Sequence, residues 1–130
     1  MALRYEVKSK RSGFANHQTT RYYPVLTRRS VADIQMICEE ISAATTLTSA
    51  DVVAVVEALT VVIPNLIEDG FNVKLDNLGT FSVHAKSEGK EDPQKVTVRD
   101  IKELKMSFLP SKRIKQRMRT MKVEKQSDRS

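Results

Sequence analysis

The segment Val52 to Ile67 most constrains what this chain can fold into. Val52, Val53, Val56, Leu59, Val62 and Ile63 leave it apolar on nearly every side. Its valines favour a strand by propensity. Its length, Ser49 as a helix cap, and the helical placing of Asp51, Glu57 and Glu68 favour a helix. We read it as a helix that Pro64 bends or breaks. As a membrane span it is too short and carries Glu57. A helix that is apolar all round must be covered on most sides. A chain of 130 residues is most simply one domain with a small core. A second copy is therefore the natural source of cover, and a homodimer is expected. Aromatic residues are 5% of the chain and Trp is absent, so Val, Ile, Leu and Met must build the core.

The net charge of +6 conceals a strong asymmetry. Residues 1–30 carry seven Lys or Arg against one Glu, and residues 31–81 carry one Lys against eight acids. Residues 82–110 are nearly balanced, with six basic and five acidic groups. Residues 111–125 are basic again, seven to one. Basic clusters of this kind suit a polyanion as readily as a solvated surface. A membrane-surface role is disfavoured, because the basic tail has few large apolar residues to insert.

Along the chain, Leu3-Arg-Tyr-Glu-Val7 alternates as a half-buried strand does. Ser9 to Thr20 reads as a loop. Tyr22-Tyr-Pro-Val-Leu26 reads as an edge strand because of Pro24. Ser30 is the expected cap of a helix whose apolar face is Val31, Ile34, Ile37, Cys38 and Ile41, running to about Ser42. Glu68-Asp-Gly70 ends the long helix, with Gly70 just past its end. Phe71 to Val83 alternates, and Asn77-Leu-Gly79 interrupts it in the manner of a bulge or a close backbone approach. Ser87 to Gln94 is a turn region. A returning strand runs through Val96, Val98, Ile101, Leu104, Met106 and Phe108, with a break in alternation near Asp100. Pro110-Ser111 caps a last helix from Lys112 to about Met121, and Val123 to Ser130 reads as a frayed tail.

Two runs frame the second half: Asn77-Leu-Gly-Thr-Phe81 and Phe108-Leu-Pro-Ser-Lys112, with 26 residues between Phe81 and Phe108. With the two preceding helices, this layout resembles the bacterial histone-like family that includes HU and integration host factor. The resemblance covers about Ser30 to Met121. It is closest to a variant subgroup that carries an N-terminal extension. It implies an α+β, HU/IHF-like fold: two N-terminal helices, an antiparallel sheet with an extended arm and a C-terminal helix, preceded by a short two-stranded extension and assembled as an intertwined dimer. The implied division is 1–29 as the β extension, 30–123 as the HU-like domain and 124–130 as a flexible tail.

The resemblance further implies an architectural protein that binds double-stranded DNA with weak sequence preference, as a homodimer in the cytoplasm and nucleoid. In that family, cations on the arm grip phosphates and a tip proline wedges between base pairs. Carried onto this chain, the DNA-binding residues are Lys86, Lys90, Pro93, Lys95, Arg99, Lys112, Arg113 and Lys115. The chain departs from the family where Val-Arg-x-Arg becomes Val83-His84-Ala85-Lys86 and the basic tip becomes Glu91-Asp92-Pro93. Pro93 is either the wedge or an ordinary turn proline. The residue-level argument is stronger at Ser111-Lys112-Arg113. There, cations, backbone N–H groups and a helix N-terminus coincide, and phosphate binding uses all three. The N-terminal cations, Lys8, Lys10, Arg11, Arg21, Arg28 and Arg29, could extend the surface.

Enzymatic chemistry finds no support. His17 and His84 lie in no nucleophile or metal-spacing motif, and one Cys with two His gives no zinc signature. No glycine-rich phosphate loop is present. No cofactor, metal or small-molecule substrate is expected. The single Cys38 fits a reducing compartment, and Met1 to Val7 has no apolar signal region. The rivals are a fold-retaining structural or protein-interaction module with weak or lost DNA binding, and an RNA binder.

Overall fold

The computed structural model describes residues 2–127. The chain divides into two compact units, one formed by residues 1–31 with 117–130, the other by residues 32–116.

In the first unit, strands β1 (Leu3–Ser12) and β2 (Thr19–Leu26) form an antiparallel hairpin in which Tyr5 pairs with Leu26 and Ser12 with Thr19. Pro24 lies on β2, which is an edge strand, so its missing N–H breaks no interior ladder. A third strand, β6 (Val123–Lys125), joins the other edge of β1 in parallel, Leu3 opposite Val123 and Tyr5 opposite Lys125. Backbone bonds from Leu3 N to Lys122 O (2.9 Å) and Gln126 N to Tyr5 O (2.8 Å) extend that pairing at both ends.

The second unit begins with helix α1 (Ile34–Ala44), capped by Asp33, whose side chain accepts from Met36 N. Helix α2 (Ser49–Glu68) starts in a capping box: Asp51 N donates to Thr48 Oγ1 (3.2 Å), and Thr48 N donates to Asp51 Oδ2 (3.0 Å). The backbone N–H of Thr48, and then its hydroxyl, hold the Asp51 carboxyl below its ordinary pKa. At the far end, Gly70 N reaches Ile67 O and Phe71 N reaches Leu66 O, with Gly70 at φ 98°. This Schellman closure suits glycine, which takes positive φ without a Cβ clash.

Strands β3 (Val73–Leu75), β4 (Gly79–Ser87) and β5 (Ile101–Pro110) form an antiparallel sheet in that order. Cys38, Val52, Ile63 and Val73 are the buried apolar residues of the described chain. They lie on α1, α2 and β3, so the core sits where the helix pair meets the sheet.

Several expectations are corrected. The anticipated order, two leading helices then a sheet and a closing helix, does not hold. Strands come first, and the described residues form three α-helices and two sheets. The N-terminal element is three-stranded, because β6 returns after helix α3 (Lys112–Arg119) to complete it. A lone two-stranded ribbon is marginal in water, and a third strand pairs the Leu3–Tyr5 end of the open edge of β1. Residues 123–125 of the expected tail are therefore paired, and 128–130 lie outside the described residues. The caps are Asp33 and Thr48 rather than Ser30 and Ser49. Pro64 lies inside α2, which continues unbroken to Glu68. At 20 residues that helix is long and apolar enough, by length and composition alone, to cross a membrane. Length therefore does not exclude it, contrary to the sequence reading.

Gly79 fixes how β4 enters the sheet. Its φ is 153°, and a Cβ there would lie 2.4 Å from Leu109 O and 2.6 Å from Phe108 Cε2. Gly79→Ala should destabilise the protein by on the order of 1–3 kcal/mol from the backbone conformation alone, with the Leu109 overlap adding to it. A urea unfolding midpoint equal to that of the parent chain would refute this.

Candidate nucleic-acid interface

The two sequence frames meet in space. Phe81 pairs with Phe108 across β4 and β5, Thr80 with Leu109 and Gly79 with Pro110. The Phe81 and Phe108 rings lie 4.8 Å apart between centroids, tilted by 39°, within the favourable range for aromatic pairs. Ser111 then locks the next turn. Its N–H donates to Leu78 O (3.0 Å), and its hydroxyl donates to Asn77 O. The same oxygen accepts from Ile114 N (3.2 Å), so Ser111 is both the N-cap of α3 and its tether to the β3–β4 turn.

That tether presents Lys112, Arg113 and Lys115 at the exposed start of α3. The first turn contains no acid. A helix N-terminus carries a partial positive charge, so cations placed there are electrostatically unfavourable in isolation. An anion bound at the same place relieves the repulsion and takes up the free N–H groups.

The arm formed by β4 and β5 has two unlike faces. Phe81, Val83 and Ala85 share one with Phe108, Met106 and Leu104. The other carries Ser82, His84 and Lys86 opposite Ser107, Lys105 and Glu103. Ser107 Oγ lies 2.9 Å from both Ser82 Oγ and His84 Nε2. A register shift follows Lys86, where Ser87 pairs with Ile101; this is the break in alternation near Asp100.

Beyond it, the arm does not end in a simple hairpin turn. Two 3-10 turns, Pro93–Lys95 and Val98–Asp100, fold the distal segment onto itself. Asp92 caps the first through Gln94 N (3.0 Å). Asp100 is buried and organises the second. Its carboxylate accepts from Thr97 N (2.9 Å) and pairs with Lys90 Nζ (3.4 Å), and Glu88 pairs with Lys102 (3.5 Å).

The anticipated DNA-binding residues thus fall into two groups. Lys112, Arg113 and Lys115 stand at the root of the arm. Lys86, Lys90, Pro93, Lys95 and Arg99 stand toward its distal end, about 23 Å away along β4 at ~3.3 Å per residue. All except Lys90 are exposed without an ion pair among the described residues, whereas Lys90 is tied to Asp100. Pro93 opens a 3-10 turn on the surface. Sequence reasoning missed Val98, which is 80% exposed beside Arg99. Counting it as part of the returning strand hid it; the Thr97 and Asp100 pair that caps its turn was the available signal.

A basic helix start tethered to the root of a two-stranded arm, behind a helix pair, defines an HU-like protein. The family model described as "HU domain fused to wHTH, Ig, or Glycine-rich motif" matches residues 1–125, and the chain belongs to this HU-HIG family. Among solved structures, it is similar to a protein from Bacteroides vulgatus ATCC 8482 provisionally described as a bacterial DNA-binding protein. The TM-score is 0.66 at 12% identity, covering 98% of this chain and 50% of that one. The chain thus spans half the length of that protein, and the likeness establishes the fold. No curated protein matches the chain.

Removing the tether tests this geometry. Ser111→Ala should cost about 1 kcal/mol as a lost helix cap, read as a lower denaturation midpoint. An unchanged midpoint would show that Ser111 does not hold α3 in place.

Proposed function

We propose that the chain is a non-enzymatic, HU-like architectural protein of the subgroup with an N-terminal extension, acting in the cytoplasm and nucleoid. It grips double-stranded DNA through phosphates, with weak sequence preference, as a homodimer. The observation that carries this reading is the uncompensated positive start of α3, where Lys112, Arg113 and Lys115 join a helix N-terminus that has no acid of its own. Membership of a family named for its HU domain supports the same direction, as does the printed description of the Bacteroides vulgatus neighbour.

The apolar surface of α2 supports the dimer. Val55 is 56% exposed and Val61 60%, and each such side chain forgoes roughly half of the ~1.5–3 kcal/mol that full burial would give while it faces water. Beside the helix, an apolar groove of about 330 Å³ is lined by Val56, Leu59, Ile63, Leu75, Phe81 and Met106. A second copy covers this surface.

Bending of the duplex is assigned to the distal segment. Pro93, Val96 and Val98 are exposed apolar groups there, Val98 the more exposed of the two valines, and apolar side chains suit wedging between base steps. The Lys90–Asp100 and Lys102–Glu88 pairs favour a second reading. With its cations partly neutralised, the arm would serve as a protein-interaction element, and the DNA grip would be weak or lost.

Affinity for duplex DNA should fall steeply with salt, with a log–log slope of about −0.9 per phosphate contact. Lys112→Ala with Arg113→Ala should make that slope shallower by about 1.8 in a salt-titrated gel shift. Absence of binding at low salt would overturn the DNA reading and leave the protein-interaction one. Light scattering on the intact protein should give twice 14.7 kDa; a stable monomer would defeat the homodimer. Pro93→Ala and Val98→Ser should each reduce fluorescence-detected bending, and unchanged bending in both would remove the wedge.

A further inference from the structure

The first unit holds a cluster of cations that the interface above does not use. Arg4 comes from β1, Arg28 and Arg29 follow β2, and Lys122 precedes β6. Strand pairing brings these three segments, far apart in sequence, to one end of the sheet. Arg4 O accepts from both Thr27 N (2.9 Å) and Thr27 Oγ1 (3.2 Å), while Leu3 N donates to Lys122 O (2.9 Å). The four cations line an open cleft of about 810 Å³ together with Thr27, Ser30 and one acid, Glu124. None of the four makes an ion pair among the described residues.

The charge continues along the sheet. Side chains alternate along a strand, so Arg4, Glu6, Lys8 and Lys10 share one face of β1. Glu6 is engaged by Lys8 at 3.4 Å. Arg21 stands directly opposite Lys10, and Tyr23 opposite Lys8. Like charges directly opposite each other destabilise a sheet, and a bound polyanion offsets that repulsion. From Arg4 to Lys10 the stripe runs about 20 Å at ~3.3 Å per residue. That matches about six steps of duplex at ~3.4 Å each and exceeds what a mononucleotide could cover.

We infer that the N-terminal sheet is a second DNA-backbone surface in its own right: the cleft of Arg4, Arg28, Arg29 and Lys122 holds a duplex phosphate, and Lys8, Lys10 and Arg21 continue the contact along the strand face. The choice of duplex DNA as ligand rests on the function proposed above; the cleft and stripe are independent of the α3 site.

The test uses the full chain and salt-titrated gel shifts on one duplex. Arg28→Ala with Arg29→Ala, and separately Lys10→Ala with Arg21→Ala, should each make the slope shallower by about 1.8. Either pair combined with the Lys112→Ala and Arg113→Ala changes should lose the sum. Arg28→Lys with Arg29→Lys should retain the parental slope, which separates loss of charge from loss of fold. If both alanine pairs keep the parental slope while the Lys112 and Arg113 variant loses it, the N-terminal site is refuted and the proposed function stands. If the parent chain binds no duplex at low salt, both fail. A loss confined to single-stranded oligonucleotide, or to inorganic phosphate measured by calorimetry, would overturn the duplex assignment.

Discussion

The approach of Gly79 to β5 organises the second unit. A glycine with φ near 153° lets the start of β4 lie against Leu109 O and the Phe108 ring, at distances no side chain would permit. With that approach made, Phe81 and Phe108 come into ring contact and the arm register is fixed residue by residue. Ser111 then falls within reach of Asn77 O and Leu78 O. The tether of α3, and with it the direction of its basic first turn, follows from a backbone position that only glycine fits. Moving the register by one residue would send Phe81 to the opposite face and separate Ser111 from both carbonyls.

Charge is distributed unevenly over this frame. At the arm root, cations and a helix N-terminus coincide with no acid in the first turn, so the local field is unbalanced. At the distal end the balance is internal: Asp100 holds Lys90 and Glu88 holds Lys102. Exposed ion pairs contribute little stability, but Asp100 is buried, and its bond to Thr97 N shapes the turn that presents Val98. The same acids that reduce the arm's net charge therefore give its end a defined conformation.

Much of this was legible in the chain. Apolar spacing located α1, and length with a nearby cap identified α2 despite its valines. The Gly79 and Phe108-to-Lys112 frames marked where the arm begins and ends, because glycine at an interruption and Pro-Ser before a basic run each have a narrow structural meaning. The Ser111 site followed from residue chemistry alone. Other features lay beyond local pattern. Val123-Glu-Lys125 is too short to show strand periodicity, and its parallel partner Leu3–Tyr5 is 120 residues earlier, so local pattern gives only a tail there. The caps shifted because Thr48 with Asp51 closes a reciprocal pair of hydrogen bonds that Ser49 does not. Pro64 did not break α2: the helix runs on to Glu68, where the Gly70 and Phe71 N–H groups close its last turn on Ile67 O and Leu66 O. The pairing of Lys90 depended on a buried Asp100, and burial of a lone acid leaves no mark in sequence.

The parallel pairing of β6 with β1 has a kinetic consequence. The β1–β2 hairpin closes over a short loop and can form early, since such hairpins assemble within microseconds. Its third strand must wait for Val123–Lys125, which joins only after the helices, the arm and α3 have been made. Contacts between such distant parts of a chain are slow to form, because the entropy of closing the intervening length is lost before the contact rewards it. During synthesis, the Leu3–Tyr5 edge of β1 therefore stays unpaired until residues 123–125 have emerged. Lys8, Lys10 and Arg11 on that strand are the kind of edge charges that discourage a neighbouring chain from pairing there first.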